Sequence, residues 1–172
     1  VLITAMQSHQ RYFPLETAAG ELLPAFLYVS NADPAAAELI THGNQRVLEG
    51  RLDDAEFAYD RDLAEGLEAM AARLGAVTFH EKLGSQKERV ERVAELSFQI
   101  AGSVDADPAD ARRAAQLGKA DLVSGMVGEF PELQGLMGRY YAEAGGIKPE
   151  IARAVELHYK PKGPTDTVPK AA

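Results

Sequence analysis

The sequence contains no cysteine among its 172 residues, and this absence excludes disulfide bonds and thiolate metal sites. A chain without thiols also suits a reducing compartment. No apolar run approaches the ~18 residues of a membrane span, so we expect no membrane partner. Positive charge is scarce as well: the net charge of −8 argues against bulk binding of nucleic acid but leaves room for a local basic patch.

The common catalytic signatures are missing too. There is no glycine loop followed by Lys and Ser or Thr, no His-Glu-x-x-His, and no Ser in a nucleophile elbow. The histidines are His9, His42, His80 and His158, and no two of them lie three or four residues apart. A structural or solvent-facing role is favoured for each over a ligand role. We predict no catalytic residue and no metal ligand.

The first 31 residues have the composition of β-structure. "VLITAM", "RYFPL" and "AFLYVS" are rich in strand formers, and the polar "ETAAGE" connects the last two. Pro14 and Pro24 confine these runs to edges or strand starts. Because so few strands are not stable alone, we expect them to belong to a larger sheet. There is no signal peptide, and because the chain starts abruptly on Val1 without an initiator Met, we expect a piece of a longer protein.

From Asn31 onward the pattern is helical. Side-chain caps are predicted at three helix starts: Asp33, Ser85 and Asp107. We expect Gly43 to interrupt the first helix. The helix after Ser85 has an apolar arc of roughly 200°, which predicts a largely buried central helix. The seven acids between Asp53 and Glu68 predict a solvated face, since a metal role would need convergent ligands.

A helix is predicted from Asp107 to Met126, with Asp121 on its face of small residues. A buried carboxylate must be hydrogen-bonded or paired. We therefore expect Asp121 to tie helices together, with a ligand contact or simple exposure as the alternatives.

The segment "GEFPELQGLMGRYYA", residues 128–142, follows that helix. We predict that Gly128 ends the preceding helix in the left-handed conformation and that Pro131 lies in the first turn of the next. Gly135 and Gly138 lie on one side of this second helix. Each costs up to ~1 kcal/mol of helix propensity, so a packing reason is expected.

Several motifs occur in the order seen in one known family: "SHQRYFP", "GRLDDAEFAYDRDL", "FHEKLGS", "AAQLGKADLVSGMVGEFPELQGLMGRYYA" and "VELHYKP". In these, the sequence resembles the beta subunit of bacterial heterotetrameric glycyl-tRNA synthetase. The resemblance implies a cytoplasmic, ATP-dependent glycine–tRNA ligase of two alpha and two beta subunits. ATP and Mg are then expected at the alpha subunit, and no cofactor on this piece. The implied partners are the alpha subunit, tRNA-Gly and the remaining beta-subunit domains.

The resemblance also implies a mainly α fold in three parts. Residues 1–32 resemble the end of a B3/B4-like α/β domain, 33–160 an HD-like helical domain, and 161–172 a linker or disordered tail. HD phosphohydrolases bind metal through histidines, but the corresponding places fall near Arg89 and near Gly118–Lys119. The HD-like domain is therefore expected to be degenerate. The alternatives are a metal-dependent HD-type phosphohydrolase and a purely structural inter-domain module.

A segment that contacts tRNA needs cations beside aromatic groups. The tRNA-binding candidates, chosen for charge and position, are Arg11, Lys82, Arg89, Lys119 and Arg139. The alternative to tRNA contact is a purely structural role, as an edge strand around Arg11 and an ion-paired helix face around Arg89.

Overall fold

The computed structural model describes residues 2–170 and is mainly α-helical, as predicted. Within that range it contains eight α-helices and four short strands, which form two separate two-stranded sheets. Contacts divide the chain into a unit that ends at Phe57 and a unit that begins at Ala58. The predicted boundary between residues 32 and 33 stays a prediction.

The first unit begins with helix, not with the predicted strand. Helix α1 (Leu2–Thr4) continues into a π-helical segment (Ala5–Gln10), so the strand prediction for "VLITAM" is wrong, with Val1 outside the described residues. The buried Met6 packs with Tyr12 and Leu48. Strand propensity depends on context, and this tertiary contact outweighs it here.

The other two predicted strands form a hairpin. Strands β1 (Phe13–Glu16) and β2 (Leu22–Leu27) pair in antiparallel fashion, and Gly20 takes φ +82° in the connection between them. Pro24 lies inside β2, which is compatible with a sheet in which both strands are edges. Most apolar side chains of the hairpin are exposed, among them Phe13 and Leu27.

The next helix is longer than predicted. Asp33 caps a 3₁₀ turn (Pro34–Ala36) by accepting a hydrogen bond from the amide of Ala35, and α2 (Ala37–Glu65) follows. Gly43 does not interrupt α2, contrary to the prediction. A helical glycine costs only ~1 kcal/mol, which the neighbouring turns of a long helix outweigh. The helix ends before Gly66, whose φ is +79°.

The second unit holds the remaining helices and the second hairpin. Its elements are α3 (Leu67–Arg73), β3 (Thr78–His80), β4 (Gly84–Ser85), α4 (Gln86–Ala101), α5 (Pro108–Leu117), α6 (Gly125–Glu129), α7 (Leu136–Ala144) and α8 (Pro149–Leu157). Its fully buried side chains include Met70, Leu74, Leu117, Met126, Met137 and Val155. The predicted caps are confirmed at α4, where Ser85 and Glu88 form a capping box, and at α5, where Asp107 accepts from two amides.

Helix α4 is less buried than predicted. Only Val90, Ala94 and Ala101 are buried on it, whereas Leu96 and Ile100 are 56% and 60% exposed. The buried positions follow one helical stripe, and the other apolar residues lie outside that stripe. The prediction of a central helix was therefore wrong.

The predicted helix from Asp107 to Met126 is divided. Helix α5 ends at Leu117, a 3₁₀ turn spans Ala120–Val123, and α6 begins after Ser124, whose hydroxyl accepts from the amide of Val127.

Gly128 lies inside α6 without a positive φ, so the prediction that it ends a helix in the left-handed conformation is wrong. Pro131 does open a turn, a 3₁₀ turn (Pro131–Leu133), but α7 starts only after Gly135. The predicted second helix is therefore interrupted at Gly135, whose φ is +88°.

Candidate functional site

Asp121 is completely buried and joins the segment after α5 to the start of α7. Its Oδ2 accepts hydrogen bonds from the amides of Gly135 at 2.6 Å and Gly138 at 3.0 Å. Burial raises the pKa of Asp121, and the two amide donors oppose that rise. The carboxylate thus satisfies backbone donors at a helix start that has no other side-chain cap.

The same two glycines allow α7 to pack closely against α8. A Cβ on Gly135 would lie 2.7 Å from the ring of Tyr159 and 3.1 Å from the carbonyl oxygen of Glu156. On Gly138 it would lie 2.7 Å from Val155 Cγ1. The two 2.7 Å distances are shorter than real contacts of a Cβ atom, so a larger residue at either position would force its neighbours to shift.

A second buried carboxylate, Asp62, was missed by sequence reasoning. It accepts from the amides of Gly125 and Met126, each at 2.9 Å, and from the Tyr141 hydroxyl at 2.8 Å. Burial and the hydrogen bond to Asp62 raise the pKa of Tyr141. The signal was available: Asp62 lies one helical turn after the buried Ala58, on the apolar side of an otherwise acidic segment.

A cavity of about 390 Å³ lies between α4, α5 and the end of α8, and we call it the α4–α5 cavity. Arg89, Lys119 and His158 line it together with small apolar side chains such as Ala114. Among the described residues, no carboxylate lines this cavity. It therefore brings together two of the five tRNA-binding candidates, Arg89 and Lys119.

The two cations are held by aromatic rings and not by acids. The Arg89 guanidinium lies 4.3 Å from the ring centre of Phe79, and Lys119 Nζ lies 3.6 Å from that of Tyr159. Within the described chain, neither cation forms a salt bridge. Desolvation and the neighbouring Arg89 charge lower the pKa of Lys119 to about 8, although the nearby Asp121 raises it.

His158 adds a neutral group to the cavity. Desolvation of its ring and the Lys119 ammonium lower the pKa of His158 to about 4, although part of the residue is exposed. Its Nδ1 lies 2.7 Å from the carbonyl oxygen of Val155, so Nδ1 carries the proton and donates it. The remaining ring nitrogen, Nε2, is left as an acceptor.

The other tRNA-binding candidates lie elsewhere. Lys82 follows strand β3, and its amide donates to His80 Nδ1 at 3.1 Å. Arg139 on α7 pairs with Glu143 and Glu156, which neutralise its charge locally. Arg11 belongs to the first unit and takes a positive φ of 59° after the π-helical segment.

The family model of the glycyl-tRNA synthetase beta subunit matches residues 1–172. The chain belongs to this family. Proteins named glycine–tRNA ligase beta subunit are 50% identical to it in Neisseria meningitidis (over 170 residues, 99% of this chain) and 52% identical in Aromatoleum aromaticum (over 168 residues, 98% of this chain). These matches cover 25% and 24% of the relatives, so this beta-subunit chain spans about a quarter of their length.

One long block of this beta-subunit sequence supplies much of the buried network. "AAQLGKADLVSGMVGEFPELQGLMGRYYA" carries Asp121, both close-packed glycines and Tyr141, and it ends within α7. The same block supplies Lys119 to the α4–α5 cavity. One segment of the beta subunit therefore contributes both to the rigid core and to the candidate site.

No group of three or more His, Cys, Asp or Glu side chains in residues 2–170 is placed to hold a metal ion. In the same range, none of the helices combines the length and apolar character needed to cross a membrane.

We expect Lys119→Met to raise the free energy of unfolding at neutral pH. A base whose pKa falls from 10.5 to about 8 on folding destabilises the native state when it is charged. The penalty is complete below about pH 8 and disappears as the pH rises towards about 10.5, so the native chain gains stability over that window and the variant does not. Because Lys119 is only half-buried, the gain should not exceed about 1 kcal/mol.

The measurement is urea unfolding of both chains near neutral pH and at about pH 10. Lys87→Met, which changes an exposed lysine of α4, is the matched control. A Lys119→Met chain that is less stable than the native one at neutral pH contradicts the expectation.

Proposed function

We propose that this chain serves the glycyl-tRNA synthetase beta subunit as a tRNA-binding and scaffolding segment without bond-making chemistry of its own. The observation that carries the proposal is the presence of Arg89 and Lys119 in one cavity that no carboxylate lines among the described residues. In the complete enzyme, an ATP-dependent glycine–tRNA ligase, the partners are the alpha subunit with its ATP and Mg, the other beta-subunit domains and tRNA-Gly. The enzyme is expected in the cytoplasm.

The side chains available as metal ligands in the α4–α5 cavity support a non-catalytic role. An HD phosphohydrolase would carry histidines near Arg89 and near Gly118–Lys119, and both places line this cavity. A guanidinium and an ammonium offer no lone pair to a metal ion and repel it. The residues present therefore do not fit a hydrolytic metal centre, which favours a degenerate HD-like domain over a phosphohydrolase.

The same cations suit an RNA backbone. Phosphate contacts from Arg and Lys supply most of the sequence-independent affinity for nucleic acid. Cations stacked on aromatic rings also keep a defined geometry, as Arg89 does on Phe79 and Lys119 on Tyr159. Asp62 and Asp121 support the scaffolding half of the proposal, because each fixes a helix start that is distant in sequence.

The test is Arg89→Glu with Lys119→Glu in the full-length beta subunit assembled with its alpha subunit. We expect tRNA-Gly to bind at least about tenfold more weakly, since two charge-assisted contacts are lost. The salt slope of binding should fall by about one for each lost phosphate contact. Glycine activation, measured as ATP–pyrophosphate exchange, should stay unchanged.

The matched control reverses two exposed cations, Arg46→Glu with Arg153→Glu, and should leave tRNA-Gly affinity nearly unchanged. Unaltered affinity in the cavity variant favours a purely structural module. Stoichiometric divalent metal together with phosphatase activity in the native subunit favours the HD-type phosphohydrolase.

A further inference from the structure

We infer, on the basis of the function proposed above, that the α4–α5 cavity is a pocket for a single nucleotide. Its phosphate lies between Arg89 and Lys119, and its base or sugar lies in the apolar slot beside them. The ligand is a nucleoside monophosphate unit. It comes either from an unstacked nucleotide of an RNA strand or from a free nucleotide.

The arrangement of the helices gives the cavity two different ends. Arg112 on α5 pairs with Glu95 on α4, whereas Lys119 lies beside Arg89, so the two helices run antiparallel. The cations therefore meet at one end, and Ser97 of α4 faces Ala111 of α5 towards the other. From Arg89 to Ser97 the helix rises by about 12 Å at ~1.5 Å per residue, so the cavity is elongated along the helices.

The cationic end is suited to an anion. Arg presents a planar fork that matches two phosphate oxygens, and Lys adds a point charge. The Lys119 ammonium is partly desolvated and repelled by Arg89, and the negative charge of a bound phosphate compensates for both effects. His158 is neutral near pH 7 and does not add a third charge, while its Nε2 remains an acceptor for a hydroxyl or amino group of the ligand.

The slot beside the cations is suited to a ring. Val90 and Val93 line one wall, and Ala111, Ala114 and Ala115 line the other. Alanines leave open the space that a larger side chain would fill, and the total volume of about 390 Å³ falls in the range of small-ligand sites. An apolar slot with a few polar groups at its ends is the usual composition of such sites.

Nucleotide affinity should fall as the pH rises above about 8, because Lys119 loses its charge there. The groups that face Lys119 are Arg89 from α4, Asp121 from its own segment, and His158 and Tyr159 from the end of α8. A guanidinium group is not deprotonated in proteins, so binding should weaken but not vanish. In the complex, the bound phosphate stabilises the Lys119 ammonium, so Lys119 loses its proton at a higher pH than in the free protein.

The test uses the holoenzyme built with the full-length beta subunit, and CMP is the probe because the alpha subunit is expected to bind adenine nucleotides. Saturation-transfer NMR measures CMP binding to the native enzyme and to Ala114→Leu, which fills the slot and leaves every charge in place. We expect Ala114→Leu to weaken CMP binding at least tenfold. The control is Ala109→Leu, the same change at an exposed position of α5, which should have no effect.

Competition identifies the source of the nucleotide. If tRNA-Gly displaces CMP from the native enzyme, the pocket holds a nucleotide of the RNA. If CMP binds and tRNA-Gly does not displace it, the pocket holds a free nucleotide. Thermal unfolding of Ala114→Leu confirms that the variant is folded, and Lys119→Arg, which keeps the charge, should retain CMP binding.

Failure of the pocket is distinguishable from failure of the proposed function. No CMP binding to the native enzyme at millimolar concentration, or equal binding to a folded Ala114→Leu variant, overturns the pocket. If Arg89→Glu with Lys119→Glu still weakens tRNA-Gly in that case, the tRNA-binding role survives as a surface contact. If instead CMP binds in the slot but the double variant leaves tRNA-Gly affinity unchanged, the tRNA-binding role fails.

Discussion

Gly135→Ala should lower the free energy of unfolding by about 3 kcal/mol, because two separate costs add at this position. The φ of +88° is open to glycine but strained for alanine. The new methyl group would also lie 2.7 Å from the Tyr159 ring and 3.1 Å from the carbonyl oxygen of Glu156. The ring could rotate away, but the carbonyl belongs to helix α8 and can move only with it. Urea unfolding of the 172-residue chain measures the loss.

Gly128→Ala is the matched control, since both glycines belong to the same sequence block. Gly128 lies within α6, and a Cβ there would meet no atom within 4 Å. The same substitution should therefore be neutral or stabilise the chain by up to about 1 kcal/mol through helix propensity. If Gly128→Ala proves as destabilising as Gly135→Ala, then neither the close packing nor the backbone conformation of Gly135 accounts for its effect.

This contrast shows why the sequence predicted the helices better than their breaks. The caps at Ser85 and Asp107 depend on residues within one turn, and both were predicted correctly. A glycine carries no such local signal. Gly43 continues a helix, whereas Gly66 and Gly135 take a positive φ at helix boundaries, and tertiary contacts decide between these outcomes.

The candidate site was only partly predictable, because its residue types can be read locally but their contacts depend on tertiary packing. Charge alone singled out Arg89 and Lys119, which are 30 residues apart, but their presence in one cavity depends on how α4 and α5 pair. The burial of Asp121 could be expected from its place on a face of small residues. Asp62 was hidden among acidic neighbours, because composition describes the segment and not the single position that points inward.

Asp62→Ala should strongly destabilise the second unit. The change leaves three donors without their acceptor: the amides of Gly125 and Met126 and the hydroxyl of Tyr141. Each buried donor left unsatisfied costs about 1–3 kcal/mol, so we expect a total loss of at least about 3 kcal/mol. Water can reach the partly exposed Gly125 amide more easily than the other two donors. The expected loss of free energy of unfolding therefore lies near the lower end of the sum for three unsatisfied donors.

Hydrogen exchange measures this loss where it occurs. In the native chain the Met126 amide is buried and bonded to Asp62, so it should exchange slowly. A loss of about 3 kcal/mol corresponds to roughly 100-fold faster exchange in peptides that cover α6 and α7. Asp60→Ala, which removes an exposed carboxylate from the same helix, should leave that exchange unchanged. Tyr141→Phe removes one of the three donors together with its hydroxyl, so it should cost less than Asp62→Ala. Equal effects of Asp62→Ala and Asp60→Ala would mean that the buried carboxylate does not hold α6 and α7 in place.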